Sequence, residues 1–271
     1  MPERSRLIRK PAAWPQFLSE PRGRRRFERA PLPPQGLRFM GESDDAFREH
    51  GDALVSMLER HTDFGPGSRV LDIGCGYGRL AHALLRRGFE GDYLGLDVQP
   101  RQIRWCERRL GSERFEFRHL DLHNERYNPD GSGSIRDIDF DEEFDVVCAF
   151  SVFTHMWSED VEAYMKVFRR ALSADGTALA TFFLIDRKWR RLEAEGKVAL
   201  RLPHFRGEHC RYESEEEPLH RVAYDLPWVV RTGFGAGLVP KGPPEFGFWS
   251  WRPIDRTGPV PYQDVLAFRL A

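Results

Sequence analysis

The sequence of 271 residues is nearly balanced in charge, with 41 Lys and Arg against 42 Asp and Glu, and 41% of it is hydrophobic. This composition is too apolar for a wholly disordered chain, and the length is enough for one large or two small domains with a substantial core. The longest apolar run, near residues 146–153, falls far short of the roughly 20 residues that span a bilayer. The composition therefore predicts a globular protein without a membrane partner.

The four cysteines, at positions 75, 106, 148 and 210, are widely spaced along the chain. No C-x-x-C pair occurs in the sequence, so it predicts neither a metal site nor a disulfide framework. The amino-terminal residues are rich in Arg and Pro and lack the apolar segment of a secretory signal. We therefore expect a cytoplasmic location.

The charge is distributed unevenly between the first 40 residues and the rest of the chain. Residues 1–40 carry ten basic and three acidic side chains, a net charge of +7, which leaves −8 on the other 231 residues. Residues 1–36 also contain seven prolines and few periodic apolar positions, a composition that indicates an extended arm. The balanced total charge argues against a nucleic-acid partner, but residues 1–40 leave one possible.

The predicted elements begin with a helix from Asp44 to about residue 62, with Ser43 as its N-cap, and Gly65-Pro66-Gly67 ends it. Apolar strands then alternate with helices of about ten residues. The strands are predicted at residues 69–73, 93–98, 115–120, 144–150 and 177–185, and the helices at 79–87, 100–110 and 159–172. This alternation predicts βαβ units and a parallel sheet that is covered on both faces.

The pattern weakens after Asp186. We predict a charged helix over residues 188–200, a polar stretch with an acidic run at 213–217, and a short helix over 224–234. Residues 245–251 and 263–270 look like an antiparallel pair at the sheet edge. The aromatic residues Phe248, Trp249 and Trp251 would then either line a substrate pocket or belong to the core.

One motif carries most of the functional information, because the first strand runs directly into Asp72-Ile73-Gly74-Cys75-Gly76-Tyr77-Gly78-Arg79. A strand, a glycine turn and a helix start together present backbone N–H groups to a polar or anionic ligand. The dinucleotide fingerprint G-x-G-x-x-G begins at Gly74, but Arg79 stands where its third glycine belongs. The pattern present is instead D-x-G-x-G-x-G.

That pattern resembles the first motif of class I S-adenosylmethionine (SAM)-dependent methyltransferases of the small-molecule type. Further matches follow in the order found in that family: Asp97 ends the second strand, Asp121 follows the third, and the fourth leads into Ser-Val-Phe-Thr-His at residues 151–155. The sequence departs from the family where Ala174-Asp175-Gly176 replaces the usual Pro-Gly-Gly turn. The resemblance is firm over residues 44–185 and loose at the Tyr-Gln-Asp ending, residues 262–264.

The resemblance implies an α/β fold, with a seven-stranded, mostly parallel, doubly wound Rossmann-like sheet and an antiparallel C-terminal edge strand. It also implies two regions, an N-terminal extension over residues 1–40 and a methyltransferase domain over residues 41–271. Residues 186–235 are expected to be an insertion that caps the substrate. The oligomeric state is not predicted.

The implied cofactor is SAM, and the residues expected to bind it come from the four motifs. They are Asp72, Gly74, Cys75, Gly76, Gly78, Arg79, Asp97, Val98, Asp121, Leu122 and Phe150. In the family the glycines carry the methionyl end, the second acid holds the ribose, and apolar residues such as Val98 and Leu122 enclose the adenine. Arg79 would pair with the methionyl carboxylate or form an exposed salt bridge, and Asp97 and Asp121 have helix capping as the alternative role.

The acceptor side is less defined by the motifs. Residues 150–153 lack the proline of DNA amino-methyltransferases, so methylation of DNA bases is disfavoured. His155, just beyond the fourth strand, is the candidate general base, and its alternative is to pack or to cap the next helix.

The resulting hypothesis is methyl transfer to an O or N atom of a small molecule: a sugar, a glycan precursor or a secondary metabolite. The alternative is an RNA or protein methyltransferase that is anchored by the basic arm. A third possibility is a SAM-binding subunit without catalytic activity.

Overall fold

The computed structural model describes residues 6–8, 30–38, 42–251 and 261–271, with the side chains of residues 6–8 and 137 left aside. Most of the arm predicted over residues 1–36 lies outside these ranges. Its last described part, residues 30–38, packs on the body of the protein. There the Ala30 carbonyl accepts a hydrogen bond from His82, and the buried Arg38 pairs with Asp44 at 2.7 Å.

The elements alternate as predicted through the first two thirds of the chain. The strands are β1 (Arg6–Ile8), β2 (Arg69–Ile73), β3 (Asp92–Asp97), β4 (Phe115–His119), β5 (Ile138–Phe140), β6 (Phe144–Ala149), β7 (Leu172–Phe182), β8 (Leu184–Ile185), β9 (His204–Arg206), β10 (Cys210–Tyr212), β11 (Val222–Asp225), β12 (Leu238–Pro240) and β13 (Asp264–Leu270). The helices are α1 (Asp44–His61), α2 (Arg79–Arg86), α3 (Pro100–Arg109), α4 (Ser158–Ala171), α5 (Arg187–Ala194) and α6 (Leu226–Gly235).

The main sheet has seven strands in the order β12-β13-β7-β6-β2-β3-β4. The central strands are parallel to one another, and β13 runs antiparallel to both of its neighbours, β7 and β12. The predicted α/β fold class is therefore confirmed. The three-residue strand β12, rather than the antiparallel β13, forms this edge of the sheet. The carboxyl ends of β2, β3, β4, β6 and β7 meet along one edge, where ligands bind in open α/β sheets.

Strand residues alternate between two hydrophobic clusters, one on each face of the sheet. Leu71 and Ile73 of β2 pack with α4 and α6, whereas Val70 packs with α1, α2 and α3. The parallel strands are buried on both sides because each crossover places a helix over the sheet. This is the doubly wound arrangement that the sequence predicts.

The predicted antiparallel pairing of residues 245–251 with 263–270 is wrong. The strand β13 pairs instead with β7 and β12, while Glu245 forms a single bridge with Val265 and residues 248–250 form a 3₁₀ turn. The N–H groups of Phe248 and Trp249 donate instead to the carbonyls of Pro261 and Tyr262, which precede β13, so this part of the stretch does not pair with the strand itself.

Three further boundaries differ from the prediction. The strand predicted at 177–185 is divided into β7 and β8, and the helix predicted at 224–234 starts only at Leu226, because Val222–Asp225 joins a sheet as β11. The charged helix is shorter than predicted, and Asp186 caps it by accepting a hydrogen bond from the Trp189 N–H at 2.7 Å. The first two differences reflect long-range strand pairings that local periodicity does not encode, whereas the charged helix ends locally just before Gly196, which has a φ of 70°.

Residues 184–225 form a second sheet of four strands, in the order β8-β11-β10-β9, beyond the carboxyl end of β7. The segment predicted as an insertion, residues 186–235, supplies three of these strands and the helices α5 and α6. In the described ranges, no helix combines the length and the apolar character that crossing a membrane requires.

Candidate functional site

A glycine loop, residues 74–78, connects β2 to α2 at the carboxyl edge of the sheet. Its three glycines, Gly74, Gly76 and Gly78, all have left-handed φ values, of 77°, 58° and 70°. The loop is held against β3, because the N–H groups of Gly74 and Cys75 both donate to the Leu96 carbonyl, at 2.7 and 3.0 Å. A Cβ at Gly74 would lie 2.4 Å from Cγ2 of Val152, so only glycine fits there.

Asp97 ends β3 directly beside this loop. Its Oδ2 accepts a hydrogen bond from the Gly76 N–H at 2.9 Å, and its Oδ1 accepts one from the Gln99 N–H at 2.8 Å. Burial raises the pKa of this carboxyl, and the two backbone donors oppose the increase. The contact joins two predicted site residues, Gly76 and Asp97, that are 21 positions apart in the sequence.

The residues at this edge fit the binding of SAM. A Cβ built at Gly76 would meet only Oε1 of Gln102, at 3.4 Å, so the backbone of the loop is open to a ligand. Each oxygen of Asp97 keeps a lone pair for a hydroxyl donor. The half-buried Val98 and the buried Leu122 supply apolar surface on either side.

Two other predicted site residues, Asp72 and Cys75, lie beneath the loop rather than at its surface. The Asp72 carboxyl is 3% exposed, accepts a hydrogen bond from the Tyr93 hydroxyl at 2.6 Å and contacts Sγ of Cys148. Burial raises its pKa to about 6. Cys75 is also buried, in the cluster that packs on α2 and α3. In the structure both side chains support the loop from the interior.

Arg79 begins α2 and already has a protein partner. Its Nη2 donates to Oε2 of Glu42 at 2.8 Å, and its guanidinium lies 5.5 Å from the centre of the Phe47 ring. A methionyl carboxylate at this position would have to share or displace Glu42. The role of Arg79 in binding SAM remains a prediction.

The loop after β4 contains Asp121 and Leu122 and folds back on itself. Asp121 accepts hydrogen bonds from the Ser132 hydroxyl at 2.9 Å and the Asn128 amide at 3.5 Å. The Ser132 hydrogen bond is the largest cause that lowers the pKa of Asp121. These contacts fix the loop at the same edge as Asp97, which leaves adenine contact by Asp121 untested.

The loop after β6 begins with Phe150, a half-buried side chain that packs toward α1–α3, and Ser151, which has an unusual φ of 57°. The Ser151 N–H donates to Oγ1 of Thr181 at 2.7 Å. The hydroxyls of Ser151 and Thr181 both donate to Oε1 of Gln263, at 3.0 and 2.6 Å. The Gln263 amide in turn donates to Oγ1 of Thr154 at 3.3 Å.

Ser151, Thr154, Thr181 and Gln263, which we call the hydroxyl cluster, were not predicted as site residues. They come from the β6–α4 loop, the end of β7 and the residue before β13. Non-glycine residues with left-handed φ are uncommon and concentrate at functional sites, which makes Ser151 notable. The Tyr-Gln-Asp ending was the only sequence signal for Gln263.

His155 lies on the same loop, next to Thr154. Its Nδ1 is 3.0 Å from the Leu219 carbonyl, which can only accept, so Nδ1 carries the proton and Nε2 has the free lone pair. Burial lowers the pKa of His155 to about 4. The Tyr127 ring packs edge-on against the imidazole at 5.9 Å. The structure therefore presents a neutral imidazole with a defined tautomer.

The cysteines and the acidic residues give no indication of a metal centre in the part of the chain that the structure describes. All four cysteines are buried and unpaired. Within the described ranges, no three His, Cys, Asp or Glu side chains converge as metal ligands would.

Residues 70–176 match the family model described as "Methyltransferase domain". The sequence is 26% identical over 127 residues to the cyclopropane-fatty-acyl-phospholipid synthase of Escherichia coli K12, covering 47% of this chain and 29% of the synthase. It is 27% identical over 148 residues to the malonyl-[acyl-carrier protein] O-methyltransferase of Acetivibrio thermocellus, covering 48% and 52%. The chain thus spans about half or less of these curated relatives.

The fold is similar to that of the magnesium protoporphyrin IX methyltransferase of Synechocystis, solved with bound S-adenosylhomocysteine (SAH). The TM-score is 0.51 at 14% identity, and the match covers 92% of this chain and 93% of that structure. At this identity the likeness concerns the fold alone. The sequence match over residues 70–176 and the fold together support a class I, SAM-dependent methyltransferase domain in this chain.

Proposed function

We propose that this protein binds SAM and transfers its methyl group to an oxygen or nitrogen atom of a small molecule. The observation that supports it most directly is the hydrogen bond between the Gly76 N–H and the Asp97 carboxylate. It holds a backbone loop and a carboxylate of the family pattern together at the carboxyl edge of the sheet. An edge of this kind positions a nucleoside ligand.

When bound, SAM supplies an electrophilic methyl group, which an acceptor lone pair attacks from the side opposite the sulfur. The contribution of the protein is to align the two reactants and to exclude water. In this chain the glycine loop would hold the methionyl end, Asp97 the ribose hydroxyls, and Val98 and Leu122 the adenine. The hydroxyl cluster would orient the acceptor beside the β6–α4 loop.

His155 is the proposed proton acceptor for a hydroxyl or ammonium group on the acceptor. Its Nδ1–H is engaged by the Leu219 carbonyl, which directs the lone pair of Nε2 away from the cap. The ring is held by Tyr127 and does not need to deprotonate first, because it is neutral at physiological pH. A base must lie within hydrogen-bonding reach of the proton that it removes.

The choice of a small acceptor rests on the shape of the protein and on its relatives. The four-stranded second sheet follows the carboxyl end of β7, and a cleft of about 560 Å³ beside it has the size of a small-molecule site. The named relatives act on different atoms: one is an O-methyltransferase, the other a synthase of cyclopropane fatty acyl phospholipids. Their names therefore support transfer chemistry without selecting the acceptor.

The first test is calorimetric titration with SAM and with SAH. We expect both to bind, and Asp97→Asn to weaken SAM about 100-fold, since it removes a charged acceptor of two hydroxyl hydrogen bonds. Asp175→Asn, an exposed carboxylate at the start of β7, is the matched control and should bind as wild type does. No binding of SAM at high micromolar concentration would contradict the proposal.

The second test is a transfer screen with tritiated SAM against sugars, phenols, amines and planar acids, with RNA included. Label in a low-molecular-weight product supports the proposal. Binding of SAM without label in any acceptor class would favour the non-catalytic alternative instead.

One observation favours a second candidate, a nucleic-acid acceptor. Arg101, Arg104 and Arg108 lie on one exposed face of α3, with Arg109 beside them. They line a concavity of about 250 Å³ together with Tyr77 and Trp105, whose rings meet edge-on at 6.0 Å. Among the residues that the structure describes, none of these arginines has an ion-pair partner. Cations interleaved with aromatic rings bind single-stranded nucleic acid.

Fluorescence anisotropy with a single-stranded RNA separates the two candidates. If the second is right, the double variant Arg104→Gln/Arg108→Gln weakens binding and reduces the dependence on salt by about 0.7 in slope per lost phosphate contact. Arg231→Gln, an exposed arginine on α6, is the control. RNA labelled by tritiated SAM would replace the small-molecule proposal, and unlabelled RNA would leave it in place.

A further inference from the structure

Beside the second sheet lies a cleft of about 560 Å³, lined by aromatic and charged side chains. Phe248, Trp249 and Trp251 come from the 3₁₀ turn and the residue after it, and Tyr262 precedes β13. Arg201, Arg221 and Glu213 lie at the side formed by the second sheet and the segment before it. Its size is in the range of small-molecule binding sites.

Three aromatic rings of this cleft are exposed to solvent. Phe248 is 48% exposed, Trp251 70% and Tyr262 43%, although Trp249 between them is fully buried. Exposed large apolar side chains that gather in one concavity mark a binding site, whereas single ones do not. The buried Trp249 holds the wall in place, since its indole N–H donates to Asp264 at 2.8 Å.

The backbone at Trp251 is in a conformation that a tryptophan rarely adopts. Trp251 has a φ of 54°, and Ser151 is the other non-glycine residue with a left-handed φ in the described part of the chain. Such conformations persist where the surrounding structure imposes them, and they cluster at ligand sites. Here the Trp251 N–H donates to the Phe248 carbonyl at 3.0 Å. This hydrogen bond fixes the turn in which the Trp251 indole is exposed.

The charge in the cleft is positive on balance. Glu213 is already neutralised, because its two oxygens accept from Arg221 at 2.8 and 3.0 Å and His220 lies 3.3 Å away. Arg201 is exposed at the rim, and among the described residues no carboxylate pairs with it. The cleft therefore offers flat apolar walls and one guanidinium without a described partner.

The cleft is connected to the reaction edge through residues 261–263. The N–H groups of Phe248 and Trp249 donate to the carbonyls of Pro261 and Tyr262, both at 3.0 Å. The next residue is Gln263, which accepts hydrogen bonds from Ser151 and Thr181 in the hydroxyl cluster. Tyr262 of the cleft is therefore the residue that directly precedes a member of the hydroxyl cluster.

We propose that this cleft binds the methyl acceptor and that the acceptor is a planar molecule bearing a carboxylate or phosphate group. Phe248, Trp251 and Tyr262 would enclose its flat body, and Arg201 would pair with its anionic group. The inference rests on the proposed function, because it assigns the acceptor class of that same site.

The test uses three probes of similar size that differ from one another in charge or planarity: 2-naphthoate, neutral 2-naphthamide and the non-planar, fully saturated decahydro-2-naphthoate. Binding to the full-length protein is measured by ligand-observed NMR titration. We expect 2-naphthoate to bind saturably and at least about fivefold more tightly than either of the others, since only it meets both requirements. Equal affinity for all three probes would overturn the proposal.

Two variants and their matched controls locate the probe. Trp251→Ala should weaken 2-naphthoate about tenfold and Arg201→Gln about fivefold, and Arg201→Gln should leave 2-naphthamide unchanged. Phe234→Ala and Arg231→Gln remove an exposed aromatic ring and an exposed arginine from α6 and should have no effect. If neither Trp251→Ala nor Arg201→Gln changes the affinity for 2-naphthoate, the assignment of the cleft is overturned.

Failure of this inference and failure of the proposed function are distinguishable on the same samples. If SAM binds but 2-naphthoate does not, the acceptor class is wrong and the methyltransferase proposal stands. If 2-naphthoate binds but SAM does not, the proposed function falls, and with it the role of the cleft as an acceptor site. For an acceptor found in the transfer screen, Trp251→Ala should raise KM more than it lowers kcat.

Discussion

The two sides of the site are built in different ways. The proposed cofactor side consists of the glycine loop and Asp97, which lie at the ends of neighbouring strands and are joined by a hydrogen bond. The proposed acceptor side combines the hydroxyl cluster, in which Gln263 contacts Ser151 from 112 positions away, with the aromatic cleft, whose Tyr262 directly precedes Gln263. The first is a local property of consecutive βα units, and the second exists only once the C-terminal strand has joined the sheet.

This difference indicates which part of the protein can change the choice of acceptor without loss of cofactor binding. Neither the hydroxyl cluster nor the aromatic cleft contributes a hydrogen bond to the glycine loop in the described structure. Changes around β13 should therefore alter the acceptor side while the cofactor side keeps its geometry. The following predictions test that separation, from the largest expected effect to the smallest.

Asp264 is the residue on which the acceptor side depends most. Its carboxylate is fully buried and accepts from the Leu184 N–H at 2.7 Å and from the Gly247 N–H and the Trp249 indole at 2.8 Å. Asp264→Ala leaves these donors without their acceptor, and we expect a loss of about 4 kcal/mol in the free energy of unfolding. Urea denaturation measures it.

Asp63→Ala is the control for this change, because the Asp63 side chain is 85% exposed and, within the described ranges, pairs with Lys241 at the surface. It should cost less than about 1 kcal/mol. Where the Asp264 variant is still folded, SAM should bind normally and 2-naphthoate should not. Loss of SAM affinity in the folded variant would show that the two sides are not separable.

Asp72 makes the cofactor side sensitive to pH. Its pKa rises from an ordinary value of 3.8 to about 6 in the folded protein, chiefly through burial. The folded state therefore binds the proton of Asp72 more tightly than the unfolded state does. The contribution of this proton to the free energy of unfolding is fully present below about pH 4 and is lost as the pH rises through about 6. A shift of this size corresponds to about 3 kcal/mol.

The variant Asp72→Asn cannot ionise and should abolish that part of the pH dependence. Its free energy of unfolding, measured from pH 4 to 7, should fall less steeply than that of the wild type. Parallel slopes for wild type and Asp72→Asn would contradict the assignment.

The cofactor side was largely predictable from the sequence, for a physical reason. A strand, a glycine turn and a helix lie within about ten consecutive residues, so the geometry of Gly74, Gly76 and Asp97 follows from local pattern and sheet order. Burial of Asp72 was not predictable from the motif. It depends on Tyr93 and Cys148, which reach it from the two neighbouring strands.

The proposed acceptor side was only partly predicted: Phe248, Trp249 and Trp251 were candidates for a substrate pocket, but no local pattern encodes the hydroxyl cluster or the turn that holds these aromatic residues. The pairing predicted for residues 245–251 placed Phe248, Trp249 and Trp251 on one strand, where alternation would have put Trp249 and Trp251 on one face and Phe248 on the other. The 3₁₀ turn instead buries Trp249 and exposes the other two. Periodicity cannot reveal this, since the turn is set by hydrogen bonds to residues 261, 262 and 264.

His155 lies between the two sides, and its removal tests the proposed base. We expect His155→Ala to lower kcat at least about tenfold while the affinity for SAM stays within a factor of two. His209→Ala, a cap histidine stacked on Trp228, is the control. With a pKa of about 4 in the folded protein, His155 is neutral above pH 5 and should produce no acidic limb between pH 6 and 8. A wild-type kcat in His155→Ala would remove the base from the proposal.

The prediction with the smallest expected effect concerns Gly76→Ala. It separates the consequence of backbone strain from the consequence of lost contact with the ligand. Alanine there must adopt a φ near 58°, and its Cβ meets only Gln102, so Gly76→Ala should lose about 1 kcal/mol of stability. Gly207, with a φ of 63° and open space where a Cβ would lie, should lose the same amount when changed to alanine. Calorimetry then separates them: Gly76→Ala should weaken SAM several-fold because the methyl group enters the space above the loop, and Gly207→Ala should not. Equal affinities would mean that the open backbone at Gly76 does not face the cofactor.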